Sequence, residues 1–99
     1  MIRHLVFWRL NGDTPEARAA QARDIKRALE DLNGKIPGLI RLEVGIDFSA
    51  GPDSADVALV SDFESRAALD AYHHHPDHLA AAPVVKAARV ERRVVDYEI

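Results

Sequence analysis

The apolar positions of this chain switch between a period of two and a period near 3.6, and the switches mark out its elements. Residues Ile2 to Leu10 predict a strand, since Ile, Val, Phe and Trp favour extended backbone and no breaker intrudes. The even positions carry Ile2, His4, Val6, Trp8 and Leu10; the odd ones carry Leu5 and Phe7 between Arg3 and Arg9. A strand with one wet face alternates more cleanly than this, so both faces are expected to be covered. In so short a chain a second subunit is the simplest cover for the second face.

Asn11-Gly12-Asp13 reads as a turn, and Thr14-Pro15-Glu16 as a helix start, with Thr14 as N-cap and Pro15 at the first helical position. Ala22, Ile25, Leu29 and Leu32 recur at helical spacing, predicting an amphipathic helix that ends at Asn33-Gly34. After the Ile36-Pro37-Gly38 connector, Leu42, Val44, Ile46 and Phe48 alternate with polar or small residues, predicting a strand from Leu39 to Phe48. A loop at Ala50-Gly51-Pro52-Asp53-Ser54 precedes a third strand, Asp56 to Phe63. Ser65 caps a second helix with an Ala68, Leu69, Tyr72 stripe, which Pro76 interrupts at His75. Residues 77 to 89 read as a further helix burying Leu79, Val84, Val85 and Ala88, and Val90 to Glu98 as a fourth strand.

The order strand, helix, strand, strand, helix, strand predicts an α+β, ferredoxin-like βαββαβ domain over residues 1–99. Its four-stranded antiparallel sheet would carry helices on one face. Two copies packed sheet to sheet would make a dimeric α/β barrel and cover the apolar odd face of the first strand. With 99 residues the core is modest, so association would help to stabilise it.

Composition narrows the chemistry. There is no Cys, which excludes disulfides, thiolate metal sites and a Cys nucleophile. Thirteen Lys and Arg against sixteen Asp and Glu give a net charge of −3, without the basic surplus of a nucleic-acid binder. No stretch approaches the roughly 18 apolar residues of a membrane span, and the Arg- and His-broken start does not read as a signal peptide. A cytoplasmic location is expected, and the Arg- and Ala-rich composition suggests a bacterial source.

Four of the five histidines lie in Tyr72-His73-His74-His75-Pro76-Asp77-His78. His73, His74 and His75 read first as solvated residues at a helix end, where imidazolium meets the negative end of the helix dipole. A metal site is a second reading, although Pro76 disrupts the spacing that would aim His74 and His78 together. The third reading groups His78 with Tyr72 and His4. Tyr72 lies on the apolar stripe of its helix and should point toward the sheet. If the first and last strands pair with residue numbers summing to about 100, His4 lies opposite Asp96, and a carboxylate beside an imidazole fixes its tautomer.

The segments Ile2-Arg3-His4-Leu5-Val6, Ile36-Pro37-Gly38-Leu39, Phe63-Glu64-Ser65, His75-Pro76-Asp77-His78 and Asp96-Tyr97 resemble the stress-responsive dimeric α/β-barrel family, Dabb. The resemblance spans nearly the whole chain in motif order. It implies a homodimer with a small pocket in each subunit between sheet and helices. At His4, Tyr72, His78 and Asp96 the chain resembles the family's plant olivetolic acid cyclase, which closes a linear polyketide by aldol condensation without a cofactor. By that resemblance His78 is the base, Asp96 or His4 orients it, and Tyr72 holds the substrate.

Val6, Trp8, Ile25, Leu29 and Leu59 would line the pocket. Val57, Trp8, Ile25, Lys26 and Leu29 depart from the cyclase and imply a differently shaped pocket. The family also implies a structural Mg²⁺ on the backbone carbonyls of Asn33, Ile36 and Leu39.

Three functions follow. The chain is a small-molecule enzyme or binder acting on a carbonyl-containing or polyketide-like compound, a non-catalytic dimeric stress module, or a cofactor-independent monooxygenase of the same barrel type. A pocket of roughly 300 Å³ or more with two converging imidazoles favours the first. An interior filled by Trp8 favours the second.

Overall fold

A computed structural model describes residues 1–99. The elements run β1 (Ile2–Leu10), α1 (Pro15–Glu30), β2 (Leu39–Ile46), β3 (Val57–Phe63), α2 (Arg66–His74), α3 (Pro76–Ala88) and β4 (Arg89–Glu98). The strands form one sheet in the order β2-β3-β1-β4, and every neighbouring pair is antiparallel. This is the expected ferredoxin-like arrangement, with β1 and β3 in the centre.

Capping groups set the helix starts. Thr14 accepts the Ala17 N–H at 3.0 Å ahead of Pro15, and Ser65 accepts the Ala68 N–H at 3.0 Å. Pro76 holds His75 in extended backbone, so α2 stops there and α3 starts anew. His75 serves both ends: its N–H donates to the Tyr72 carbonyl at 3.1 Å, and its Nδ1 accepts the Asp77 N–H at 3.1 Å. Gly38, at φ +82°, turns the chain into β2, and a Cβ there would stand 2.5 Å from that of Ala68.

The even side chains of β1 face the helices. Ile2, Val6, Trp8 and Leu10 join Ile25, Leu29, Val44, Leu59, Phe63 and Tyr72 in one core. The odd side chains Leu5 and Phe7 face the opposite side beside Ala58 and Val60 of β3, and all four are only half-buried. Arg3 grips the buried carboxylate of Asp62 on that same side through two hydrogen bonds of 2.8 and 3.0 Å.

The two sheet edges are finished differently. At β2, the Asn33 side chain donates to the Leu42 carbonyl and accepts the Leu42 N–H, both at 2.8 Å, while Glu30 accepts the Val44 N–H at 3.0 Å. Two side chains thus occupy backbone groups that an open edge would offer to another strand. At β4, by contrast, Val90, Val94, Val95 and Tyr97 are exposed.

The sequence expectations differ from this structure at several boundaries and on one helix face, and β3 starts at Val57 rather than Asp56. α1 ends at Glu30 rather than Asn33-Gly34, because Asn33 leaves the helix to pair with β2; Leu32 is still buried in the turn that follows. β2 stops at Ile46, and Phe48 is 98% exposed, because the Asp47 carboxylate takes the Ala50 N–H at 2.8 Å and turns the chain. Leu79 and Val84 are exposed, since the inward stripe of α3 runs through His78, Ala81, Ala82, Val85 and Ala88. That helix begins at Pro76, and β4 at Arg89.

Candidate functional site

A cavity of about 220 Å³ opens between the sheet and the helices. Val6 and Trp8 of β1, Leu59 of β3, Leu29 of α1 and Val85 of α3 make its apolar wall. His4, Tyr72, His73 and His78 bring the polar groups, and Lys86, Arg89 and Arg92 bring positive charge.

His4 is 2% exposed in the middle of β1. The register places it opposite Asp96, as the pairing sum of 100 predicts, and its Nδ1 is hydrogen-bonded to the Asp96 carboxylate. That contact directs the other ring nitrogen away from Asp96. Asp96 itself lies on the exposed edge strand and does not line the cavity. It reaches the imidazole cluster through His4, whose ring edge meets His73, with centroids 5.4 Å apart.

His73 is the residue that sequence reasoning misplaced. It does not sit in solvent at a helix end but is half-buried in the cavity wall, against His4, Tyr72 at 5.4 Å and His78 at 5.7 Å. A signal existed: Leu69, Tyr72 and His73 are related by three and four residues and so share one helix face. On a continuous helix His73 and His78 would point about 140° apart. The break at His75-Pro76 lets both rings meet. His74 and His75 remain outside the cavity, His74 bonded to the Asp70 carbonyl at 2.9 Å and His75 capping α3.

Burial sets the protonation states. It pushes the Tyr72 hydroxyl up to about 12, so the phenol stays a donor at neutral pH. Loss of water, aided by His73, holds His78 below the ordinary imidazole value; a backbone contact with His73 opposes this only in part. His73 is lowered for the same first reason, then by His4 and Arg92, against a weaker pull from Asp96 and Asp70. Two neutral imidazoles therefore stand beside a neutral phenol. The buried Trp8 Nε1 and His78 Nδ1 have no hydrogen-bond partner in the protein. An unmade buried bond of this kind costs about 1–3 kcal/mol, which marks this wall as one not built for stability alone.

Of the expected pocket residues, Val6, Trp8, Leu29 and Leu59 line the cavity. Ile25 does not: it is wholly buried in the core beneath α1. Lys26 also points elsewhere, bonded to Glu30 at 2.7 Å and to the Val44 carbonyl at 2.6 Å. Asn33, Ile36 and Leu39 belong to the connector before β2 and its first residue, and none lines the cavity; the Ile36 carbonyl accepts the Leu39 N–H at 3.2 Å. No three His, Asp or Glu side chains are placed together to hold a metal ion. Ala82, Val85, Lys86, Arg89 and Arg92 were not foreseen as lining residues. They come from α3 and the start of β4, whose helical phase only the structure gives.

The family of stress responsive A/B barrel domains, Dabb, matches residues 2–99. This chain belongs to it. Among solved structures, a dimeric protein of unknown function and ferredoxin-like fold from Bacteroides fragilis is 31% identical. The alignment covers 99% of this chain and 95% of that one with a TM-score of 0.88. A dimeric ferredoxin-like protein of unknown function from Thermobifida fusca is 30% identical, covering 99% and 90% at a TM-score of 0.83. A hydroxynitrile lyase from Passiflora edulis shares the Dabb chain's fold at 24% identity, covering 99% and 92% with a TM-score of 0.72. No curated protein matches the chain. No helix is long and apolar enough to cross a membrane.

Proposed function

We propose that this Dabb protein works in the cytoplasm as a homodimer whose subunits each bind a small carbonyl compound and move its protons with their own side chains. The observation that carries the reading is the convergence of His4, His73, His78 and Tyr72 on one partly apolar cavity. The half-buried Leu5, Phe7, Ala58 and Val60 support a second copy on the bare sheet face, as do the dimers described for the two bacterial relatives.

His78, neutral and packed at a tilt against Tyr72 with ring centroids 4.4 Å apart, takes a proton from a carbon beside a carbonyl. The electron pair moves onto the carbonyl oxygen, which the Tyr72 hydroxyl stabilises by donating a hydrogen bond. The enolate carbon then attacks a second carbonyl, and the imidazolium of His78 returns the proton to the new alkoxide. Asp96 holds His4, and His4 packs against His73. The two are positioning residues for the imidazole cluster.

The cavity limits the substrate. A dry cavity of about 150 Å³ admits benzene, so 220 Å³ holds one substituted ring or a short diketone. A long linear polyketide exceeds it. The volume lies below the roughly 300 Å³ of an ordinary ligand pocket because the Trp8 indole forms part of the wall. That observation favours a second reading, a dimeric module that binds a ligand without turnover.

Deuterium exchange at the central carbon of acetylacetone separates the two readings. The protein is expected to accelerate it, and His78→Ala to lower the acceleration by about a hundredfold or more. Unchanged exchange in His78→Ala overturns the base assignment. Turnover that requires oxygen would point to the monooxygenase type instead.

A further inference from the structure

The charged residues around the cavity are not a sample of the surface. The chain is acidic overall, yet the cavity lining contains Lys86, Arg89 and Arg92 and no Asp or Glu. Five of the thirteen Lys and Arg take part in no ion pair, and these three are among the five. The pairing elsewhere is dense: Arg3, Arg9, Lys26, Arg27, Lys35, Arg41, Arg66 and Arg93 all reach a carboxylate. Asp96 and Asp70, the two carboxylates acting on His73, both lie outside the cavity, and Asp96 is engaged by His4.

The three cations share one origin in the fold. Lys86 is in the last turn of α3, Arg89 follows that helix directly, and Arg92 sits opposite Trp8 in the β1–β4 register. Lys86 and Arg92 are exposed and Arg89 is half-buried, while Val6, Leu59 and Val85 behind them are buried or nearly so. The cavity thus has a positive rim and an apolar depth. Like charges gathered without counter-ions repel one another, and an anion that bridges them relieves that repulsion while arginine forks a carboxylate.

Resting on the reading of this cavity as a small-molecule site, we infer that its ligand is a small organic carboxylate, with Lys86, Arg89 and Arg92 holding the acid group. The remainder, one ring or a short keto chain, lies against Trp8, Val6 and Leu59 near His78. The cavity volume of about 220 Å³ suits a molecule of that size.

Trp8 is the only tryptophan of the chain and lines the cavity, so its fluorescence reports on occupancy. The full-length protein is titrated with two pairs of probes matched in size, benzoate with benzamide and acetoacetate with acetylacetone, and binding is checked by NMR shifts of the Tyr72 and His78 signals. Each carboxylate is expected to bind at least tenfold more tightly than its neutral partner. The Lys86→Gln/Arg89→Gln/Arg92→Gln variant is expected to erase that preference, while Arg92→Lys keeps most of it. Equal binding of carboxylate and neutral probe by the natural protein overturns the inference and leaves the small-molecule site standing. So does a preference that survives removal of all three cations. Absence of binding by all four probes overturns the small-molecule reading itself, and this inference with it.

Discussion

The two faces of β1 are built from similar residues and meet different fates. On one face Ile2, Val6, Trp8 and Leu10 lie under the helices, with His4 buried among them. On the other, Leu5 and Phe7 are half-buried with no helix above them. The covered face is where the protein tolerates polar groups, because Asp96 satisfies His4 and the helices bring two more imidazoles to meet it. The bare face carries its polarity at the margins, in Arg3 gripping Asp62, and keeps its centre apolar. A closed face can hold a reactive cluster in fixed geometry; an open apolar face is a surface for association.

The sharpest break in that comparison comes from the covered side. Phe63 is wholly buried against Tyr72, with ring centroids 5.0 Å apart. Phe63→Ala is expected to cost about 3–5 kcal/mol of stability, a large share of the roughly 5–15 kcal/mol of an ordinary domain. Urea denaturation measures it, and a loss under about 1 kcal/mol would show that the core under α2 collapses readily into the void.

Leu5→Asp makes the matching change on the bare face. Here the folded far-UV signal is expected to persist while sedimentation shifts from dimer to monomer. A variant that still sediments as a dimer would move the interface to another surface, the exposed β4 edge being the first to test.

The smallest effect concerns pH. His73 and His78 have folded-state values below the ordinary imidazole value of 6.5. The unfolded chain therefore binds more protons than the folded one as pH falls through 6.5, and stability declines with it. Above 6.5 their contribution is complete. Asp62, lowered chiefly by its bond from Arg3, and Glu30, lowered by Lys26 and the Val44 N–H against the cost of burial, keep their stabilisation throughout this window and lose it only as pH falls through the carboxylate range. Melting temperature is expected to drop between pH 7.5 and 5.5, and less steeply in His73→Gln/His78→Gln. Equal slopes in the two proteins would assign the acid sensitivity to other groups.

Much of the fold was legible because its signals are local. Thr14-Pro15, Ser65 and His75-Pro76 act on their own backbone, and period-two or 3.6 patterns follow from which side of one element faces oil. Strand order made β1 and β4 neighbours, and a pairing sum of about 100 then put His4 opposite Asp96; the structure has that register. The errors fell where a periodic pattern competes with a specific side-chain hydrogen bond. Asn33 left a plausible helix end for the backbone of Leu42, and Phe48 continued an alternation that Asp47 had already ended.

For the site, the sequence by itself determined the inventory: histidines around a proline, a tyrosine on an apolar stripe, and one tryptophan on the first strand. It also determined that β1 would be apolar on both sides. Only the tertiary structure decided which histidines face inward, that His73 joins His4 and His78, that Ile25 stays out of the cavity, and that three unpaired cations ring its mouth. The physical reason is phase. A proline fixes where a helix breaks, but the direction in which the next helix restarts is set by packing of Val85 and Ala88 against the core. That direction carries His78, Lys86 and Arg89 with it.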